Sequence, residues 1–130
     1  VELLAITENE KITREALSYC GKLLEKYRDM PEAMTRIEGY LIDPSSEDNP
    51  KLTGILTNRL HNYKKMYDIL DSFMNDLKES DYELYSMAYE HWLWKKEIVY
   101  IALDHHASDS SVDRRLREVK RLLAERLEMI

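Results

Sequence analysis

The sequence predicts an all-α chain: a helical body over residues 1–79 that includes one long helix, followed by a helix-turn-helix head over residues 80–130. Three observations carry this expectation. Only 3 Gly and 3 Pro occur in 130 residues, too few for a turn-rich β architecture. A hydrophobic fraction of 44% beside 34% charged residues suits amphipathic helices around a core. Apolar residues recur at spacings of three and four in successive segments, with one clear break at residues 43–50.

The elements follow in order. Thr7 and Glu10 have capping-box spacing, and Ala16, Cys20, Leu23, Leu24 and Tyr27 mark the apolar face of a first helix that Pro31 limits. A shorter helix carries Ala33, Met34, Ile37 and Leu41. Residues 43–50 combine Asp, Ser, Asn and two prolines and read as a flexible loop. Residues 51–78 lack proline and make a helix ~42 Å long at 1.5 Å per residue. Within it Leu56, Leu60, Tyr63, Tyr67, Leu70, Met74 and Leu77 form a heptad seam, which suits either packing within the chain or a homodimer through residues 56–77. Ser80 and Glu83 again have capping-box spacing and open a helix through Leu84, Met87 and Ala88. The aromatics Tyr82, Tyr85, Tyr89, Trp92 and Trp94 are expected to pack this helix onto the long one. Stacking on bases is the alternative, but only Lys95 and Lys96 supply cations beside them.

Residues 96–103 then make the first helix of the head, with Ile98, Ile101 and Ala102 facing inward. Ala102, His106 and Val112 have the spacing of the small residue, the turn residue and the apolar residue of a helix-turn-helix. His106 stands where glycine most easily takes the left-handed turn conformation, and His105 stands where an apolar residue is usual. Ser108 is a good N-cap, and Asp109 complements the helix dipole in the first turn. Val112, Leu116, Val119, Leu123 and Leu127 then form an apolar stripe, while Ser110, Arg114, Arg117 and Arg121 fall on the opposite face.

An arginine fork can donate two hydrogen bonds at once to guanine or to a phosphate. Residues early in a recognition helix reach base edges and later ones meet the backbone. Ser110, Arg114 and Arg117 are therefore the expected base readers, with Arg115, Lys120 and Arg121 nearer phosphates of double-stranded DNA. The alternative for this face is a solvated set of Arg and Glu pairs, each worth about 0.3–0.5 kcal/mol.

The formal charge of −6 is unevenly spread. Residues 1–94 hold 11 Lys/Arg and 18 Asp/Glu, net −7, whereas residues 95–130 hold 8 and 7, net +1. An acidic body argues against a sequence-indifferent DNA coat and makes binding dependent on orientation and salt. The single Cys20 excludes an internal disulfide and fits a small core residue. No signal-peptide pattern and no apolar run of ~20 residues occurs, so a cytoplasmic, non-membrane setting is expected. His105 and His106 lack the Cys-x-x-Cys or His-Glu-x-x-His company of a metal site. There is no glycine-rich phosphate loop, nucleophile elbow or catalytic carboxylate or Cys-His set, so neither an enzyme nor a cofactor is expected.

The order of features resembles the RinA and ArpU type of phage late-gene regulators. Its carriers are Lys26-Tyr27-Arg28, the polar segment 43–50, the long helix 51–78, Asp81 through Glu90, Lys95-Lys96-Glu97, Ser108-Asp109 and Leu123 through Leu127. The resemblance implies a head similar to region 4 of bacterial sigma factors, activation of phage late genes, and promoter DNA and host RNA polymerase as partners in the bacterial cytoplasm. The competing expectation is a helical protein-interaction module, such as a phage assembly or DNA-packaging component, that uses the heptad seam and the tyrosine-rich surface.

Overall fold

In the computed structural model, which describes residues 2–130 and side chains from residue 8 onward, the chain folds as six α-helices with two short helical turns and no strand among the described residues. Helix α1 spans Glu2–Tyr27 and α2 spans Met30–Ile42. The long α3 spans Pro50–Ser80, 31 residues, or about 46 Å. Helices α4 (Tyr82–Ala88), α5 (Ile98–Asp104) and α6 (Asp109–Arg126) follow. The all-α expectation holds.

Several boundaries differ from the sequence expectation, each for a local reason. The backbone is already helical at Glu2, so Thr7 lies inside α1 and does not cap it. Pro31 sits in the first turn of α2, where its missing N–H costs nothing. Residues 43–50 form a hydrogen-bonded turn. Pro44–Asp48 form a 3-10 turn that begins with Ser45 N donating to Asp43 Oδ1 at 2.9 Å. Ser46 is buried there, and its carbonyl accepts from Thr53 Oγ1 at 2.8 Å. Asn49 then caps α3 by accepting from Leu52 N at 3.2 Å. The polar segment is thus the elbow of an α2–α3 hairpin, tied further along by Lys64 and Glu38 at 3.4 Å.

The cap of α4 is Asp81, which accepts from Leu84 N at 3.1 Å; Ser80 is the last residue of α3. A carboxylate stabilises free N–H groups and the dipole together, and it displaces the serine one position upstream.

One core unites both halves of the sequence. Cys20 and Leu24 from α1, Leu70 and Leu77 from α3, Leu84 and Met87 from α4, Ile101 from α5, and Val112 and Leu123 from α6 are all buried in it. The seam on α3 divides. Leu70, Met74 and Leu77 enter this core, whereas Leu56, Leu60, Tyr63 and Tyr67 are half-buried. Tyr27 donates to Asp71 Oδ1 at 2.8 Å and stacks on Tyr67 with ring centres 5.4 Å apart, which locks α1 to α3. Burial, together with the Asp71 carboxylate, pushes the Tyr27 phenol far up. Burial also raises the Cys20 thiol, in keeping with a core role. No helix among the described residues is long and apolar enough to cross a membrane.

Candidate nucleic-acid interface

Between α4 and α5 the chain makes a π-turn over Tyr89–Leu93 and then passes through Lys95 at φ 54°, a left-handed conformation unusual for lysine. The turn brings Trp92 and Glu90 inward, and both are buried. Tyr82, Tyr85, Tyr89 and Trp94 form a chain of ring contacts along its outer side. Tyr82 and Trp94 remain about two-thirds exposed, so only part of the aromatic cluster serves the core.

Helix α5 ends in a Schellman-type cap. His106 N donates to the carbonyl of Leu103 at 3.3 Å, and Ala107 N donates to the carbonyl of Ala102 at 2.9 Å. His106 has φ 53°, as the turn position requires. Ala102 is 3% exposed and Val112 is fully buried, so the small residue lets the helices cross and the valine fastens the second to the first. Ser108 caps α6 by accepting from Ser111 N at 3.1 Å. Val112, Leu116, Val119 and Leu123 are buried, each worth about 1.5–3 kcal/mol in transfer from water, and Leu127 is half-buried.

The turn is braced by charge. His105 Nε2 donates to Glu90 Oε2 at 2.6 Å, and Lys96 Nζ donates to Glu90 Oε1 at 3.2 Å and also to Asp104. The histidine at the usually apolar position therefore meets a buried carboxylate supplied by the π-turn. Asp104 holds the Lys96 ammonium pKa above its ordinary value, and Lys96 holds the Asp104 carboxyl below its own. Helical periodicity gives no hint of Glu90, because only the π-turn aims it inward.

The six residues expected to face DNA have different settings. Ser110 and Arg114 are exposed; Arg114 bonds Ser111 Oγ at 3.3 Å and has no carboxylate within 4 Å among the described residues. Arg117 is exposed but paired with Asp113 at 3.0 Å, and it borders Thr13, Arg14 and Leu17 of α1. Arg121 pairs with Glu125 and, at 3.8 Å, with Glu118. Arg115 stands apart: it is half-buried and bonds the cap carboxylate Asp81 at 3.3 and 3.4 Å, bracing α6 against the start of α4. The stem of Lys120 crosses α1 at Gly21, where an added Cβ would lie 3.3 Å from Lys120 Cδ.

Helix α1 thus flanks α6. The outward face carries Arg114, Arg117 and Arg121 beside Asp113, Glu118 and Glu125. Exposed pairs of this kind are worth about 0.3–0.5 kcal/mol, so a phosphate or base edge can replace the carboxylates at small cost. No group of three or more His, Cys, Asp or Glu side chains suited to a metal ion occurs among the described residues. No protein-family model, curated protein or solved structure matches the chain.

Proposed function

We propose that this protein is a sequence-specific DNA-binding regulator of transcription that reads the major groove with α6. The observation that carries the reading is the pairing of a well-formed turn with an open guanidinium: Ala102, left-handed His106 and buried Val112 set the crossing, and Arg114 stands exposed one turn and a half past the Ser108 cap. Ser110, Arg114 and Arg117 contact base edges, and Arg121 and Lys120 approach phosphates. Arg115 holds α6 to α4. The resemblance to RinA and ArpU regulators extends the reading to activation of phage late genes, with host RNA polymerase meeting the acidic body.

The test is selection of duplexes from a random-sequence pool, followed by anisotropy titration of the selected and unselected DNA. A tighter selected complex, weakened by rising salt, supports the reading. Equal affinity for both duplexes rejects it.

One observation favours a second reading, the helical interaction module. Val99, Tyr100 and Leu103 leave the outer face of α5 apolar and exposed, at 43%, 55% and 67%. A large defined assembly by light scattering, together with no duplex preference, would select this alternative.

A further inference from the structure

Two clefts lie end to end beside α1. The first, about 520 Å³, runs between the α1–α2 corner and the segment before α5; the second, about 340 Å³, runs between α1 and α6. Glu25, His91 and Trp92 line both, so the two make one groove that reaches Arg117 at the edge of the reading helix.

Its charge is opposite in sign to that of the whole chain. Three of its cations are already neutralised locally: Arg28 by Asp29, Arg117 by Asp113, and Lys96 by Glu90 and Asp104. Four lysines remain, Lys22, Lys26, Lys95 and Lys120, and none has a carboxylate within 4 Å among the described residues. Only Glu25 and Glu97 oppose them in the groove. A strip of four such lysines facing two carboxylates, on a chain of net charge −6, raises the local positive potential along this groove.

The geometry suits an extended polyanion better than a compact one. Lys22 and Lys26 lie one α1 turn apart, about 6 Å along the axis. Lys120 reaches the strip across Gly21, and Lys95 faces it from the opposite wall in its left-handed conformation. That conformation costs on the order of 1–3 kcal/mol for a residue other than glycine, and such strain concentrates at functional positions.

We infer that this groove is a second DNA contact, a sequence-indifferent phosphate track in which Lys22, Lys26, Lys95 and Lys120 hold the backbone that flanks the site read by α6. The inference rests on the DNA-binding reading above. It assigns α1 a part in binding and explains how a chain of net charge −6 adds affinity to that of the α6 face. Backbone contacts of this kind add salt-dependent affinity and carry no sequence information.

The experiment compares wild type with the triple variant Lys22→Gln, Lys26→Gln, Lys95→Gly, titrating selected and random-sequence duplexes across a range of KCl concentrations. Glycine at 95 relieves the left-handed strain, so circular dichroism and the thermal midpoint should show a fold at least as stable. The expected result is a salt dependence shallower by about 0.9 for each phosphate that is no longer neutralised, a total of about 2–3 in the log–log slope, with the preference for the selected duplex retained. Glu25→Gln works in the opposite direction and should tighten both complexes several-fold, a gain that misfolding cannot produce. An unchanged slope in the triple variant, with selective binding intact, overturns the groove and leaves the α6 reading standing. Loss of preference in the wild type itself overturns both.

Discussion

His105 of the turn and Glu90 of the π-turn meet at 2.6 Å, joining segments fifteen residues apart. Glu90 is 8% exposed and also serves Lys96, so a single carboxylate secures both ends of α5. Removing it leaves the His105 Nε2 donor without its acceptor and Lys96 with Asp104 alone. Glu90→Ala should cost about 1–3 kcal/mol, and Glu90→Gln, which keeps an acceptor, should cost less; urea denaturation midpoints measure both. Equal stability of Glu90→Ala and wild type would show that the brace is incidental.

The Lys96–Asp104 pair sets a pH window. The Asp104 carboxyl is depressed by the Lys96 ammonium, so its contribution is present above the ordinary aspartate range and is lost as pH falls through its lowered folded value. The Lys96 ammonium is raised by the carboxylates of Asp104 and Glu90, so its contribution holds below the ordinary lysine range and is lost as pH climbs through its raised folded value. Thermal midpoints of Asp104→Asn should therefore be less sensitive than wild type to pH at both limits. Parallel profiles for the two proteins would contradict the pairing.

The turn itself offers opposed substitutions. His106 has φ 53°, which glycine adopts freely and a β-branched residue resists. His106→Gly should stabilise by about 0.5–1 kcal/mol, and His106→Val should destabilise by more than that. Ser108→Ala, which removes the cap bond to Ser111 N, should cost about 1 kcal/mol and fray the first turn of α6. Chemical denaturation ranks the three. A destabilised His106→Gly would mean that the imidazole makes a contact outweighing the backbone strain.

These elements also show what the sequence makes legible. Helix α6 is readable because its signals are local: Ser108 lies three residues from the N–H it caps, and the stripe from Val112 to Leu123 needs only helical repetition. The α1 start, the α4 cap and the 43–50 elbow are less legible. Capping-box spacing recurs by chance inside helices, as at Thr7, and Asp81 competes with its neighbour Ser80 for the same role. In the elbow, turn formers signal a break, but the bond from Thr53 to the Ser46 carbonyl that ties it to α3 is invisible to composition. The division at residue 79 falls in the last turn of α3, and the core is shared across it. At the site, the sequence suggests Arg114 as a base reader and Arg115 as a phosphate contact. Only the fold reveals that Asp81 claims one of them and that α1 lies beside Arg117 and Lys120.

That separation yields a paired prediction. Arg115→Ala should lower stability by about 0.5–2 kcal/mol, because it removes a half-buried charged bond to Asp81, and should leave the preferred DNA sequence unchanged. Asp81→Asn keeps a capping acceptor but weakens the Arg115 bond, so it should reproduce a smaller part of the same loss. Denaturation curves together with duplex selection separate the two effects. A changed sequence preference in Arg115→Ala would place that residue among the proposed DNA contacts.

The most direct test of the central claim is the affinity of wild type and Arg114→Ala for a duplex selected by the wild type and for random-sequence duplex at one moderate salt concentration. The account predicts a clear wild-type preference for the selected duplex, and a loss of about 1–3 kcal/mol of discrimination in Arg114→Ala with an unchanged thermal midpoint. Wild type binding both duplexes equally, or Arg114→Ala keeping the full preference, would contradict it.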